Sequence, residues 1–366
     1  MKIALYCRVW PSHGLGGMQV AAWLTARGLA RRAHEVHVFT TSLKGFSGDL
    51  REDDLFVHHV SSPTGKYSSE YFDGARRLFD SLAPFDIVYS HSTAARRHVG
   101  GVIPVVAHWH GIGGIEDVKN LSKIGHIVPP KKFDPEILRY PRHIAVGPHE
   151  ARYIVSNGID ENNVRTVLYG VDGFTIDPIK RAEIRSYLGY GDEHFVVGVS
   201  GRLVTDKGIG QVAAIVHKLS PHVRILIIGA GGFEKVFKER SIYQETVERK
   251  QMCGYYNAMD LLIDPTARNQ GFDITPIEAV SCGTPVLLSD VGSYKEVFTK
   301  GARFFELGNL DQLAKQINEI ASSSTILTLR SEALQIASER FTLDRMVDEV
   351  EEELRSAIST NHQPIN

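Results

Sequence analysis

Short runs of near-continuous apolar residues recur along the chain. Longer stretches separate them, with apolar residues returning every three or four positions. In the first half the runs KIALYC (2–7), EVHVFT (35–40), DIVYSH (86–91), PVVAHW (104–109) and HIAVG (143–147) read as strands. In the second half FVVGVS (195–200), RILIIG (224–229), DLLIDP (260–265) and PVLLSD (285–290) do the same. A strand without polar alternation is buried on both faces, which indicates parallel sheets covered by helices. Between the runs, positions such as Ile209, Val212, Ala213, Val216 and Leu219 are spaced for one helical face. Two such series predict an α/β protein of two doubly wound parallel-sheet domains. The predicted boundary is the turn-like Tyr169-Gly170-Val171-Asp172, giving domains over 1–170 and 171–340. The stretch FTLDRMVDEVEEELRSAI, from Phe341 to Ile358, predicts an amphipathic helix within a separate tail, 341–366. The segments 42–70 and 111–142 are long for α/β connections and read as binding loops or disordered segments.

Composition narrows the function classes. The 366 residues carry 41 Lys and Arg against 43 Asp and Glu, a net charge of −2. With a pI near 6.8 there is no global field to attract nucleic acid. Cys7, Cys253 and Cys282 lie far apart and form no CxxC pair, which argues against a disulfide framework and suits a reducing compartment. The opening MKIALYCRVW is interrupted by Arg8 and is too short for a secretory leader. No apolar run reaches the roughly 18 residues of a membrane span. The expectation is a cytoplasmic protein. Lys119, Lys123, Lys131 and Lys132 in KNLSKIGHIVPPKKF add two readings: a solvated loop, or peripheral contact of 119–132 with an anionic acceptor or the inner face of a membrane.

Three stretches carry candidate chemistry. After the first strand, PSHGLGGMQ (11–19) invites a dinucleotide fingerprint, but Gln19 stands where its last glycine belongs. No acidic residue closes the second strand at FTTS (39–42) either, so a nicotinamide reading fails on both checkable parts. What remains is Gly14, Gly16 and Gly17 before a helix from about Met18: a close backbone approach to an anion at a helix N-terminus, or a tight turn with no ligand. In the second half, FVVGVS runs into Gly201-Arg202 and then Asp206-Lys207-Gly208. An Arg and a Lys beyond a strand's carboxyl end make a cationic clamp suited to a diphosphate, or two solvated charges. The third stretch is RNQGFDITPIEAVSCGTPVLLSD (268–290). Thr275 reads as an N-cap, Pro276 as the first helical residue and Glu278 as the third, where it could close a capping box. Gly271-Phe272-Asp273 before it, together with the helix N-terminus, reads instead as a second anion cradle. His91, His108 and His110 find no carboxylate or cysteine at matching spacing, so no metal is expected.

With these motifs the chain resembles the retaining glycosyltransferases of family four over nearly its whole length. The resemblance rests on GGMQ after strand one, AHWHG (107–111), LYGVD (168–172), SGRLVTDKG (200–208) and the NQGFDITPIEAVSCGTPVLLSD block. It implies the GT-B fold, two Rossmann-like domains facing each other across a cleft, with acceptor binding in the N-terminal domain and nucleotide-sugar binding in the C-terminal one. The tail 341–366 would return to the N-terminal domain. Arg202 and Lys207 would grip the donor diphosphate, approached from the other domain by Gly16 and Gly17. The backbone of Gly271, Phe272, Asp273, Ile274 and Thr275 would complete the cradle. Glu278 would bind the ribose, and Gln270, where the family places a glutamate, would hold hydroxyls of the donor sugar. His110 would lie near the reacting sugar, or simply be satisfied at a strand end. The implied catalytic set is therefore His110, Arg202, Lys207 and Glu278, with no cofactor and no metal. The implied partners are a UDP- or GDP-linked sugar and a glycan, lipid-linked or small-molecule acceptor. The stretch SIYQETVERKQMCGYY (241–256) is the expected region of base selectivity. Ala33 and Tyr169 depart from the family's usual glycine and asparagine, with an expected effect on turn geometry more than on chemistry. Gln270 keeps a hydrogen-bonding length but loses the charge. A sugar phosphorylase, a nucleotide-sugar epimerase or a catalytically silent protein of the same fold are the alternatives.

Overall fold

The structure is a computed structural model and describes residues 1–14, 16–91, 103–111, 135–232, 241–267 and 273–361. The described residues form two compact units, one of 1–111, 135–170 and 343–361, the other of 171–342.

The first unit is built on β1 (Lys2–Tyr6), β2 (Glu35–Thr41), β3 (Gly48–Glu52), β4 (Leu55–Val60), β5 (Ile87–Ser90), β6 (Val105–Trp109), β7 (Arg142–Ala145) and β8 (Val164–Thr166). Their order in the sheet is β3-β4-β2-β1-β5-β6-β7-β8, parallel throughout except for the edge strand β3. The helices α1 (Gly17–Arg31), α2 (Ser69–Leu82) and α3 (Pro148–Ser156) connect the strands. One long loop of the sequence reading is partly sheet: β3 and β4 lie within 42–70. His58 and His59 interrupt an apolar reading of β4, yet both are buried through partners, His58 with Asp49 and His59 with the Thr41 carbonyl.

The second unit holds a six-stranded, all-parallel sheet of β9 (Phe195–Ser200), β10 (Val223–Ile228), β11 (Ser241–Gln244), β12 (Leu261–Asp264), β13 (Val286–Ser289) and β14 (Ala302–Phe305). Its order is β11-β10-β9-β12-β13-β14. Helices α4 (Pro178–Tyr187), α5 (Ile209–Ile215), α6 (Arg249–Ala258), α7 (Ile274–Ser281), α8 (Tyr294–Val297), α9 (Leu310–Ser322) and α10 (Thr325–Arg340) surround it. The edge strands β11 and β14 escape the sequence reading because their partly exposed positions include polar residues, Ser241 and Gln244 in one and Arg303 in the other, in place of a continuous apolar run. The core between sheet and helices is aliphatic, with Val197, Val199, Ile225, Ile227, Ile263 and Leu287 on the sheet side. One buried carboxylate ties the layers together. Asp260 accepts from Arg181 (2.6 Å), Arg185 (3.1 Å) and Arg330 (2.8 Å), and from the Val196 N–H at the start of β9.

The last helix, α11 (Leu343–Asn361), belongs to the first unit and packs on α1 and on β5, β6 and β7.

Candidate donor site and histidine cluster

In an open parallel sheet, the crevice for a ligand forms where the strand order reverses. In the second unit that point lies between β9 and β12, from which the two halves of the sheet grow outward in opposite directions. The loops after these two strands are stapled together. Gln211 donates to the Pro265 carbonyl at 3.0 Å, and the Ala267 N–H donates to the Asp206 carbonyl at 3.0 Å. Gly208 sits in the staple at φ 67°, and a Cβ there would run into the Pro265 carbonyl oxygen. Only glycine meets both demands.

This staple delivers Lys207 to the start of α7, 66 residues away in the chain, where its ammonium pairs with the Asp273 carboxylate. Asp264, at the end of β12, joins them: it shares a hydrogen bond with Asp273 and accepts one from the Tyr294 hydroxyl at 2.6 Å. That hydroxyl in turn accepts from the Asp273 N–H at 3.2 Å. Burial and the neighbouring Asp273 charge raise the Asp264 carboxyl to about 7, against the pull of Lys207. The ammonium thus contacts Asp273 alone and acts on Asp264 only through its charge. Arg202 takes no part; it is exposed, with no side-chain partner among the described residues.

Helix α7 begins earlier than the Thr-Pro signal predicts. Its N-cap is Asp273, its first residue Ile274, and Pro276 occupies the third position. Proline is tolerated there because the first-turn N–H groups have no intrahelical acceptor to lose. The Asp273 side chain does not cap the helix, and Lys207 holds it instead. Among the described residues, no side chain caps the Ile274 and Thr275 amides that open the helix. Glu278 becomes the fifth residue, and the capping-box alternative falls. Its carboxylate is buried, takes the Tyr256 hydroxyl on Oε2 at 2.9 Å, and has Arg249 Nε at 3.2 Å from Oε1. Burial pushes its pKa up, with Arg249 opposing. Tyr256 also reaches Ser200 at the end of β9, at 3.3 Å. The Arg249 guanidinium lies 4.7 Å from the Phe174 ring centre, and its buried Nη2 has no hydrogen-bond acceptor among the described residues. Arg249 and Tyr256 fall in the stretch 241–256, while Asp264 and Tyr294 carry no sequence signal beyond strand-end and loop position.

In the first unit, Gly16 is the N-cap of α1 and Gly17 its first residue, again without a side-chain cap. The Gln19 amide folds back over this end, so a Cβ on Gly16 would meet its Oε1 at 2.6 Å. His110 follows β6 and belongs to a cluster. Its Nε2 lies 2.6 Å from Nδ1 of His91, and its Nδ1 lies 2.7 Å from the Tyr169 hydroxyl. His108 Nδ1 meets the Tyr89 hydroxyl at 2.5 Å. Burial lowers all three imidazoles, His110 to about 3. Tyr169, read as a matter of turn geometry, is therefore a direct partner of His110. Ala33 is the geometric departure, at φ 61°.

Gln270, Gly271 and Phe272, and the lysine-bearing segment 119–132, lie outside the described residues. No helix among the described residues is long and apolar enough to cross a membrane.

Two doubly wound parallel-sheet units, each opening at its own switch point, define the GT-B class of glycosyltransferase folds. Residues 15–173 match the family described as Glycosyltransferase Family 4, and residues 180–338 match Glycosyl transferases group 1. The chain belongs to the family 4 glycosyltransferases. It is 25% identical over 332 residues to a D-inositol 3-phosphate glycosyltransferase of Arthrobacter sp. (strain FB24), covering 79% of this chain and 77% of that relative. Among solved structures, the sucrose-phosphate synthase of Thermosynechococcus elongatus superposes with a TM-score of 0.83 at 15% identity, over 98% of this chain and 100% of the other. Anabaena HepE in complex with UDP-glucose gives 0.73 at 19% identity, over 97% and 100%. At these identities the structures speak for the fold.

Proposed function

We propose that the protein moves a hexosyl unit from a nucleotide-diphosphate sugar, UDP- or GDP-linked, to a hydroxyl of a glycan, lipid-linked or small-molecule acceptor. Configuration at the anomeric carbon is retained, and no metal is needed at the diphosphate. One observation carries the reading. At the switch point of the second unit, Lys207 is held beside the N-terminus of α7, which its own N-cap side chain leaves uncapped, with Glu278 buried one turn further along the same helix. The first two are what a diphosphate binds, and the third is an acceptor for the ribose hydroxyls. The complex of HepE with UDP-glucose supports a nucleotide sugar as donor.

In this reading Asp273 holds the ammonium until the donor arrives. The diphosphate then takes its place on Lys207, Arg202 closes from solvent, and the Ile274 and Thr275 amides complete the cradle. The acceptor oxygen attacks the anomeric carbon on the face from which the diphosphate leaves. The bond from that carbon to the phosphate oxygen breaks with its electron pair going to the phosphate, which also receives the acceptor's proton. Charge grows on the leaving group where Lys207 and the helix dipole already point and where Arg202 closes, so the transition state gains most. The described groups around His110 are imidazoles and a phenol, which suits this route better than a carboxylate nucleophile does.

A thermal-shift screen with UDP, GDP, ADP and inorganic phosphate tests the proposal. One nucleotide at a hundred times its dissociation constant is expected to stabilise the protein by about 2.7 kcal/mol. Glu278→Ala should lose that response and the transfer activity, while Gln270→Glu should keep or raise activity. A response to phosphate alone would establish a phosphorylase. Silence toward every nucleotide, or full activity in Glu278→Ala, would overturn the assignment.

A further inference from the structure

Glu278 takes its two side-chain partners from one face of α6. Arg249, the first residue of that helix, comes within 3.2 Å of Oε1 through its Nε, and Tyr256, two turns further on, donates to Oε2 at 2.9 Å. A separation of two turns brings both side chains to the same side of the helix. Both also rest on Phe174, whose ring centre lies 4.7 Å from the guanidinium and 5.8 Å from the Tyr256 ring. The carboxylate between them is buried.

We propose that Arg249 is a positioning residue of the donor site, whose guanidinium fixes the Glu278 carboxylate as an acceptor for the hydroxyls of the nucleotide ribose. The inference rests on the proposed nucleotide-sugar function and adds a residue to it. Three observations support it. First, a buried carboxylate needs a counter-charge, and Arg249 is the one cation in contact with Glu278 among the described residues. Second, Arg249 does little else for the fold. Arg181 and Arg185 direct their donors to carbonyls, those of Asn257 and Met259 for the one and of Ala258, Gly191 and His194 for the other, as well as to Asp260. Arg249 bonds no carbonyl among the described residues, and its Nη2 is buried without an acceptor. Third, a cation in the first turn of a helix opposes the helix dipole, a placement that the facing carboxylate offsets. An ionised carboxylate has about four acceptor sites. Arg249 and Tyr256 take one each, which leaves enough for both hydroxyls of a ribose. The titratable and charged groups facing Glu278 among the described residues are Arg249 and Tyr256 of α6 and Cys282 of its own helix. Burial favours the protonated acid, and Arg249 is the largest influence against it. Without the guanidinium the acid holds its proton to higher pH and accepts poorly from a hydroxyl.

Calorimetric titration of the full-length protein with UDP, GDP and ADP, repeated from about pH 6 to 8, tests the assignment. Arg249→Met keeps an apolar stem on Phe174 and removes the charge. At the acid end it should bind the nucleotide that the wild type prefers about 10- to 100-fold more weakly, and the deficit should shrink as rising pH ionises Glu278 again. Comparing variant with wild type at each pH cancels the titration of the nucleotide phosphate and of Asp264. Arg249→Lys should restore most of the affinity. In a Glu278→Gln background, which has no acid to ionise, Arg249→Met should add no pH-dependent deficit. The melting temperature without ligand reports whether each variant is folded; should Arg249→Met fail to fold, Arg249→Gln carries the test with the same expectation. A variant of wild-type affinity overturns the inference. So does a deficit that is equal at every pH or that lysine leaves unrescued, which would make Arg249 a packing residue. A wild type that binds none of the three nucleotides overturns the donor assignment itself, and the inference with it.

Discussion

Asp264 and Asp273 share a hydrogen bond beside a single lysine that contacts only Asp273, and the balance of charge settles which group keeps a proton. Two carboxylates and one ammonium in a buried site would leave an uncompensated negative charge, so one carboxyl stays protonated well above the usual range. Asp264 is that group, at about 7 against 3.8 for an ordinary aspartate. A carboxyl raised by folding binds more protons folded than unfolded, so its contribution to stability is fully present below pH 3.8 and is lost as pH rises through about 7. Asp264→Asn mimics the protonated acid: its oxygen still accepts from Tyr294 and its amide donates to Asp273. We expect urea unfolding of the wild type to lose on the order of 4 kcal/mol across that window, and the variant to lack this component. Equal slopes in both would place the raised titration elsewhere. This pairing is closed to sequence reasoning because Lys207 and Asp273 meet only through the fold. Glu278 is legible as a residue but not in its helical position: Thr275-Pro276 imitates a helix start that the chain makes two residues earlier, at Asp273.

At the level of elements, the buried parallel strands are legible because each needs apolar residues on both faces. The strands that escape are the short edges β11 and β14 and the β3–β4 pair, whose polar positions face partners or solvent. Turn chemistry is equally readable at the end of α1. The His34 N–H returns to the Leu29 carbonyl at 3.3 Å and that of Ala33 to Ala30 at 2.9 Å, closing the helix in a two-bond C-terminal motif that needs a left-handed residue. Ala33 fills that place at φ 61°. An L residue there costs about 1–2 kcal/mol, and glycine would give back about 0.5–1 in unfolded-chain entropy. Ala33→Gly should therefore stabilise the protein by roughly 0.5–1 kcal/mol in denaturant titrations. Destabilisation would show that the alanine methyl makes a contact worth more than the strain.

For the molecule as a whole, the chain path makes the first unit discontinuous: it is opened by the first 170 residues and completed by α11 after the second unit has been built. Met346, Val347, Val350 and Leu354 of that helix are buried, and Gly28 on α1 lets the two helices approach so closely that a Cβ would strike Val347. Four such side chains at about 1.5–3 kcal/mol each amount to roughly 6–12 kcal/mol as an upper estimate, comparable with the whole stability of an ordinary domain. The second unit uses none of this contact, because its sheet, its Asp260 hub and the Lys207–Asp273 pair all lie within 171–342. Deleting 343–366 should thus abolish the cooperative unfolding of the first unit while a second calorimetric transition survives. If the proposed donor site is right, UDP or GDP should still raise that surviving transition. Loss of both transitions would mean that the second unit depends on the first for its own folding, and that α11 holds more than the unit it completes.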